Sequence, residues 1–215
     1  MPYPPEHKRR TRARIVAAAS RLFRRRGFGA TSVDALMGAA GLTRGGFYAH
    51  FRSKAELLEA ALAAAFEESR QNLLARGLED SRGEAWLTRA ASRYLGPDHL
   101  RALDEGCAVP ALGAEVSRSG DGPRRAFERE LTRLIDGLAT RLGGPHARAR
   151  SLRALSTWVG ALTLARAVHD PAFAEEILAS ARHAQASDHS PLDGASDGSS
   201  AAASSRGQSS SSPSG

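Results

Sequence analysis

The residues best suited to chemistry gather in one stretch, Thr31-Ser-Val-Asp34-Ala-Leu36-Met37-Gly38-Ala-Ala-Gly41-Leu-Thr43-Arg44-Gly45-Gly46-Phe47-Tyr48-Ala-His50-Phe51-Arg-Ser53-Lys54. They are groups that hold anions rather than nucleophiles or paired acids. Thr31 precedes an apolar run and has Asp34 three residues on, which predicts a helix N-cap with Thr31 as the capping residue. Thr31 and Ser32 then offer hydroxyls and free backbone N–H groups to a phosphate, aided by the helix dipole. Thr43 precedes a second helix start, and Ser53-x-x-Glu56 is a capping box opening another, where Lys54 adds a full charge. Arg44, in the first turn after Thr43, can present two donors to the paired acceptors of a guanine. Gly45 and Gly46 leave the backbone bare for close approach to a duplex, at roughly 1 kcal/mol of helix stability each. Taken alone, His50 serves equally well as a cap for a neighbouring helix. Gly38 stands mid-helix where a better helix former is expected, easing packing or softening the helix.

Charge follows the same stretch. The net charge is +7, yet between His7 and Lys54 twelve lysines and arginines face a single acid, Asp34, so the rest of the chain is net acidic. A field concentrated at one end suits a polyanion such as double-stranded DNA, whose neutralised phosphates release counterions; a solubilising face is the other reading. Lys8, Arg9, Arg10 and Arg12 read either as an arm for the minor groove or as a solvated charge run. The single cysteine, Cys107, excludes an internal disulfide and a multi-cysteine zinc site. His99, His146, His169 and His183 lack partners at ligand spacing, so neither metal nor cofactor is expected. With no glycine-rich phosphate loop, G-x-S-x-G or paired-carboxylate motif, the chain does not read as an enzyme. Nothing approaches a membrane span, because even Ala55 to Phe66 is broken by Glu56 and Glu59, and the first ten residues do not form a secretory signal. A cytoplasmic, nucleoid-associated protein is expected.

The pattern that positions these groups is helical throughout, with no alternating strand signal, and predicts an all-α fold. A first helix is expected from His7 to Arg26, a short one from Thr31 toward Gly41, a third from Thr43 to Phe51, and a long fourth from Ser53 to Arg76. Further helices are expected over Gly83–Leu95, Pro123–Leu142, Pro145–His169 and Pro171–His183, with an irregular stretch between Gly96 and Gly122. This divides the chain into a three-helix DNA-binding domain at 7–54, a larger helical effector and dimerisation domain at 55–184, and a tail at 185–215. The tail holds twelve serines and almost no large apolar side chain, and reads as disordered.

The capped helix, then Ala40-Gly41-Leu42-Thr43, a glycine, Phe47-Tyr48, His50-Phe51 and Ser53-Lys54, resembles the signature of the TetR family of bacterial regulators. The resemblance covers about the first 65 residues closely. It implies a helix-turn-helix with phosphate contacts from Tyr48 and His50, a homodimer, and release from operator DNA by a small molecule or an electrophile. Most members repress; activation stays open, as does a non-specific architectural DNA binder. Leu155, Trp158, Val159 and Leu162 form one helical stripe and Phe173, Ile177 and Leu178 another, which fits a four-helix dimer interface or packing within one subunit. Trp86, Tyr94, Leu103, Phe127, Leu131, Leu134 and Trp158 are candidates for an effector pocket. The segment Gly106-Cys107-x-x-x-Ala111-Leu112-x-x-Glu115 resembles that of a subgroup with electrophile and oxidant regulators. Cys107 is therefore either a sensor thiol or a small buried hydrophobe.

Overall fold

The computed structural model describes residues 5–187, and every regular element among them is helical. Helix α1 (Pro5–Arg26) buries Thr11, Ile15, Ala19 and Phe23, four positions in successive four-residue steps along one face. It stops at Gly27, whose φ of +84° suits glycine and whose N–H closes on the Phe23 carbonyl at 2.9 Å. Lys8, Arg9, Arg10 and Arg12 lie within α1 and are exposed, so the basic cluster is a helix face rather than an extended arm.

Helix α2 (Val33–Ala39) is capped by Ser32, which accepts from the Ala35 N–H at 3.1 Å, not by Thr31 as the pattern suggested. Thr31 is buried and gives its hydroxyl to the Gly27 carbonyl at 2.6 Å, so it braces the preceding turn instead. The expected third helix is a six-residue 3-10 helix, Arg44–Ala49, which starts on the glycine pair and buries Phe47. Thr43 occupies its cap position without a capping bond from its side chain.

Helix α3 (Lys54–Ser69) does open on the Ser53 capping box: Ser53 Oγ accepts from the Glu56 N–H at 3.1 Å and Glu56 accepts from the Arg52 N–H at 2.8 Å. Leu57, Leu58, Ala61, Leu62, Ala65 and Phe66 are buried between α1 on one side and α7 (Asp121–Leu142) on the other. The helix continues as a π-helical segment over Arg70–Ala75, sealed by Arg76 N–H to the Gln71 carbonyl at 2.8 Å. Helix α4 (Gly83–Tyr94) packs against α7 and α9 (Pro171–Ser187), and α8 (Ala147–Ala167) lies against α7 and α9. The stretch expected to be irregular holds two helices, α5 (Pro97–Arg101) and α6 (Ala108–Ser117). Pro110 sits in the first turn of α6, where its missing N–H does no harm, so proline and glycine misled the pattern there. Helix α9 runs past the expected start of the tail at Gln185 as far as Ser187, and the rest of that stretch lies outside the described residues.

Arg24 joins the two halves. Its guanidinium is buried and donates to the Gly106 carbonyl at 2.7 Å, to Ser20, and to the Glu68 carboxylate on α3. Removing a buried charge from its partners strands them, and Arg24→Met is expected to cost about 3 kcal/mol of stability. Urea unfolding of the two proteins measures this; a change within experimental scatter would remove Arg24 from the joint.

Candidate nucleic-acid interface

The helix-turn-helix turns at Gly41, whose φ is +65° and whose N–H reaches the Gly38 carbonyl at 2.9 Å, while Leu42 N–H reaches Met37 O at 2.9 Å. Arg14 on α1 braces the corner by donating to the Ala40 carbonyl at 2.7 Å. Leu36, Met37, Phe47 and Phe51 turn inward and are essentially solvent-free, with the Phe47 and Phe51 rings 5.9 Å apart. Burying Phe47 sends its neighbour outward, and Tyr48 is 70% exposed. Gly38 is also exposed, and a Cβ there would meet nothing within 4 Å, so packing inside the chain does not require glycine.

Ser32, Thr43, Arg44, Gly45 and Tyr48 are all exposed, and Gly46 and His50 are partly so. Arg44 holds Asp34 at 3.1 Å in an exposed pair of the kind that contributes little and is readily exchanged. A Cβ on Gly45 would meet nothing within 4 Å, and one on Gly46 would lie 3.6 Å from Met37 Cε; neither residue has a positive φ. The glycine pair therefore answers no steric demand from its own chain. His50 has its pKa lowered by burial, with Lys8, Arg12 and His7 adding repulsion, and its Nδ1 has no hydrogen-bond partner.

Lys54 departs from the expected outward charge. Its Nζ donates to the Phe28 carbonyl and lies 4.3 Å from the centre of the Phe28 ring, and burial lowers its pKa against the opposing pull of Glu115. Glu115, on α6, accepts from the Phe28 N–H at 2.7 Å and the Gly29 N–H at 3.0 Å. The loop between α1 and α2 is thus clamped by α3 and α6 together. A Cβ on Gly27 would stand 2.9 Å from the Glu115 carboxylate, a second reason for glycine there. Sequence reasoning missed Arg24, which nothing marks among the chain's many arginines, and it marked Glu115 only as the end of a segment, not as the clamp on this loop.

Cys107 is 2% exposed, at the start of α6, beside the Tyr94 hydroxyl and Ser69, and burial raises its pKa. Asp104 and Glu105 are not among the causes; Glu105 instead faces Arg21 at 3.6 Å on the surface. His99 is buried and lies edge-on to Tyr94, with ring centres 4.5 Å apart, while Tyr94 leans on Trp158 at 5.5 Å. Of the other pocket candidates, Phe127 meets Phe66 edge-on at 5.4 Å, Leu131 is half-buried against the core, and Leu103 is exposed. Trp86 and Leu134 do come together, lining one cavity with Leu138 and Arg141.

The stripes expected to form a dimer face are turned inward for the most part. Leu155, Trp158, Leu162 and Leu178 are buried within the chain, Val159 and Ile177 are partly buried, and Phe173 is 49% exposed. Outside that stripe, α8 carries exposed Leu152, Gly160 and Leu164.

The described residues thus form an all-helical chain with a helix-turn-helix at one end and a larger helical body behind it. Residues 15–61 match the model of a family described as bacterial regulatory proteins, tetR family. Over 62 residues the chain is 44% identical to the HTH-type transcriptional regulator TtgR of Pseudomonas putida, a match covering 29% of this chain and 30% of that protein. It is 31% identical over 130 residues to the HTH-type transcriptional regulator CymR, also of Pseudomonas putida, covering 57% and 64% of the two. These matches thus span from under a third to under two thirds of the relatives' lengths. A TetR transcriptional regulator from Chloroflexus aurantiacus J-10-FL superposes with a TM-score of 0.69 at 25% identity over 84% of this chain and 94% of that one. Reduced E. coli NemR gives 0.68 at 22% identity over 82% and 95%. Residues 15–61 are therefore similar to the tetR-family segment, and the described chain as a whole shares its fold with these solved regulators.

The buried His99 gives a pH dependence. Its Nδ1 side faces the Tyr94 carbonyl at 2.7 Å and its Nε2 accepts the Cys107 N–H at 2.9 Å, so the neutral ring with Nδ1 protonated satisfies both. Burial, with Arg166 nearby, lowers its pKa to about 4. An unfolded histidine titrates near 6.5, so the unfolded state takes up the proton first, and stability falls as pH drops from the unfolded value through about 4. Between pH 7 and pH 4 the wild type is expected to lose on the order of 3 kcal/mol more than His99→Gln. Urea midpoints at both pH values test this, and equal losses would contradict a neutral buried ring.

Proposed function

We propose that this chain is a sequence-specific transcriptional regulator, a repressor that binds operator DNA as a homodimer in the cytoplasm and leaves it when a small molecule occupies the helical body. The observation that carries the reading is the bare backbone at Gly45 and Gly46, in the middle of an exposed row of anion-binding groups, where the fold itself has no need of glycine. Ser32, Tyr48 and His50 take phosphates, Arg44 exchanges Asp34 for a base edge, and Thr43 and Gly46 border the contact. The N-terminus of α3 adds its dipole, while Lys54 acts from behind by fixing the Phe28 loop. Thr31 contributes through the Gly27 turn. The buried, proton-retaining Cys107 favours a core cysteine and a non-covalent effector over an electrophile.

Gel shifts on the DNA upstream of the coding sequence, with unrelated competitor, test the central claim. The wild type is expected to prefer one sequence by roughly a thousandfold. Gly45→Leu is expected to fold at least as stably and to lose about tenfold or more in operator affinity, while Arg44→Ala costs about 1–3 kcal/mol and relaxes preference at one base pair. Retention without sequence preference would favour an architectural binder, and undiminished affinity in Gly45→Leu would move the contact elsewhere.

Dimerisation is assigned to the outer faces of α8 and α9, where Leu152, Leu164 and Phe173 are exposed and Gly160 permits close approach. Leu164→Glu combined with Phe173→Glu is expected to leave helix content unchanged and give a monomer in sedimentation. A persistent dimer would place the interface on another surface.

A further inference from the structure

Helices α4, α8 and α9 leave a groove of about 190 Å3 beside the last turn of α9. Along α8 it runs over Arg150, Arg153, Ala154 and Thr157, the i, i+3, i+4 and i+7 positions of one helix face. Leu87 of α4 and Ala154 are buried, whereas Thr157 and Ala184 are exposed, so the groove has an apolar floor and an open rim. An engineered apolar cavity of about 150 Å3 takes up benzene, so this space accommodates one branched aliphatic side chain. The charged residues lining it are both arginines. Arg150 is paired with Glu84 of α4, and Arg153 is exposed, which leaves the rim net positive.

Gln185 lines this groove, and two residues later the chain leaves α9 at Ser187 and continues as Asp188-His-Ser-Pro191-Leu192-Asp193. Leu192 is the one large aliphatic residue between Asp188 and Gly215. The acids Asp188, Asp193 and Asp197 outnumber the single arginine of that stretch, Arg206, so its charge is opposite to that of the rim. Pro191 offers no N–H to the helix ladder and disfavours helical backbone at Ser190, which opposes an extension of α9 as far as Leu192. Five residues of extended chain reach roughly 17 Å, while the face from Arg150 to Thr157 is only about 10 Å long. Leu192 is therefore within reach of the whole groove, and the short tether to α9 gives it an effective concentration on the order of millimolar there.

We propose that residues 188–193 dock in this groove of their own chain, with Leu192 over Leu87 and Ala154 and the carboxylates of Asp188 and Asp193 toward Arg153 and Arg150. Burial of the leucine supplies the driving force, because ion pairs at an exposed rim contribute little to stability. The charges instead set the direction in which the segment lies. Docked in this way, the segment is a clasp that fastens the end of α9 to α4 and α8. The groove face lies one residue from Leu152 on α8, so the clasp and the exposed apolar residues of that helix are neighbours.

The test is disulfide trapping in the full chain, with the buried Cys107 left in place and the products mapped by peptide mass. Thr157→Cys is combined with Leu192→Cys, and the control combines Ser156→Cys with Leu192→Cys. Ser156 is also exposed and is turned about 100° from Thr157 around α8, so a tether alone serves both pairs equally. In a glutathione buffer the Thr157 pair is expected to close within one chain about tenfold faster than the control. Adding Asp188→Asn and Asp193→Asn is expected to slow that closure about threefold at low salt and to have no effect in about 1 M salt. All these substitutions lie on the exposed face of α8 or beyond α9, and circular dichroism checks that helix content is unchanged. Equal rates for the two pairs would overturn the docking, and a low-salt rate indifferent to the two amides would overturn the carboxylate contacts. A Thr157–Leu192 link found only between chains would assign the groove to a second copy instead.

Discussion

Helix α3 buries one continuous apolar surface against two partners, α1 at the helix-turn-helix end and α7 in the larger body, and the rest of the structure is organised around that sharing. Removing either partner would uncover part of the surface that Leu57, Leu58, Ala61, Leu62, Ala65 and Phe66 now bury. Each large side chain so covered contributes about 1.5–3 kcal/mol, enough that the two halves are expected to fold as one unit. The joint is then specified by polar contacts. Arg24 ties α1 to Gly106 and Glu68, and Glu115 ties α6 to the loop after α1. Packing thus holds the halves together while hydrogen bonds fix their register.

The arginines and lysines divide into two populations that composition does not separate. Those on the outer face of α1 and at the turn into the 3-10 helix stay in water, where they build a long-range positive field. Arg24, Lys54 and Arg166 are directed inside the chain onto backbone carbonyls: Arg24 on Gly106, Lys54 on Phe28, and Arg166 on His99, Leu100 and Ala102 at the end of α5. Their charges hold loops and helix ends whose carbonyls would otherwise lack donors. Loss of such a residue therefore acts first on architecture.

The region around Cys107 shows how one segment can serve several neighbours. Gly106 has room for no side chain, since a Cβ would stand 2.6 Å from the Ala102 carbonyl and 2.9 Å from the His99 ring. That close passage lets the Gly106 carbonyl meet Arg24 and the Cys107 N–H meet His99. A change at this turn is felt at once by α1, α5 and α6.

The helical class, the capping box at Ser53, the stop at Gly27 and the glycine corner of the helix-turn-helix were legible in the sequence because each depends on residues a few positions apart. Local rules suffice for such features. They failed where distant groups compete for the same atoms. Thr31 looks like a cap but is drawn into the Gly27 turn, Lys54 looks free but is claimed by Phe28, and α6 looked irregular until its contacts with α1 and α8 outweighed its proline and glycine. The stripe Leu155, Trp158, Leu162 was correctly apolar, yet helical periodicity names a buried face without naming what buries it. Only the tertiary structure decided that the stripe faces its own chain, that Arg70 pairs with the buried Glu130, and that Glu115 and Arg24 hold the joint, because those facts arise from side chains tens of residues apart.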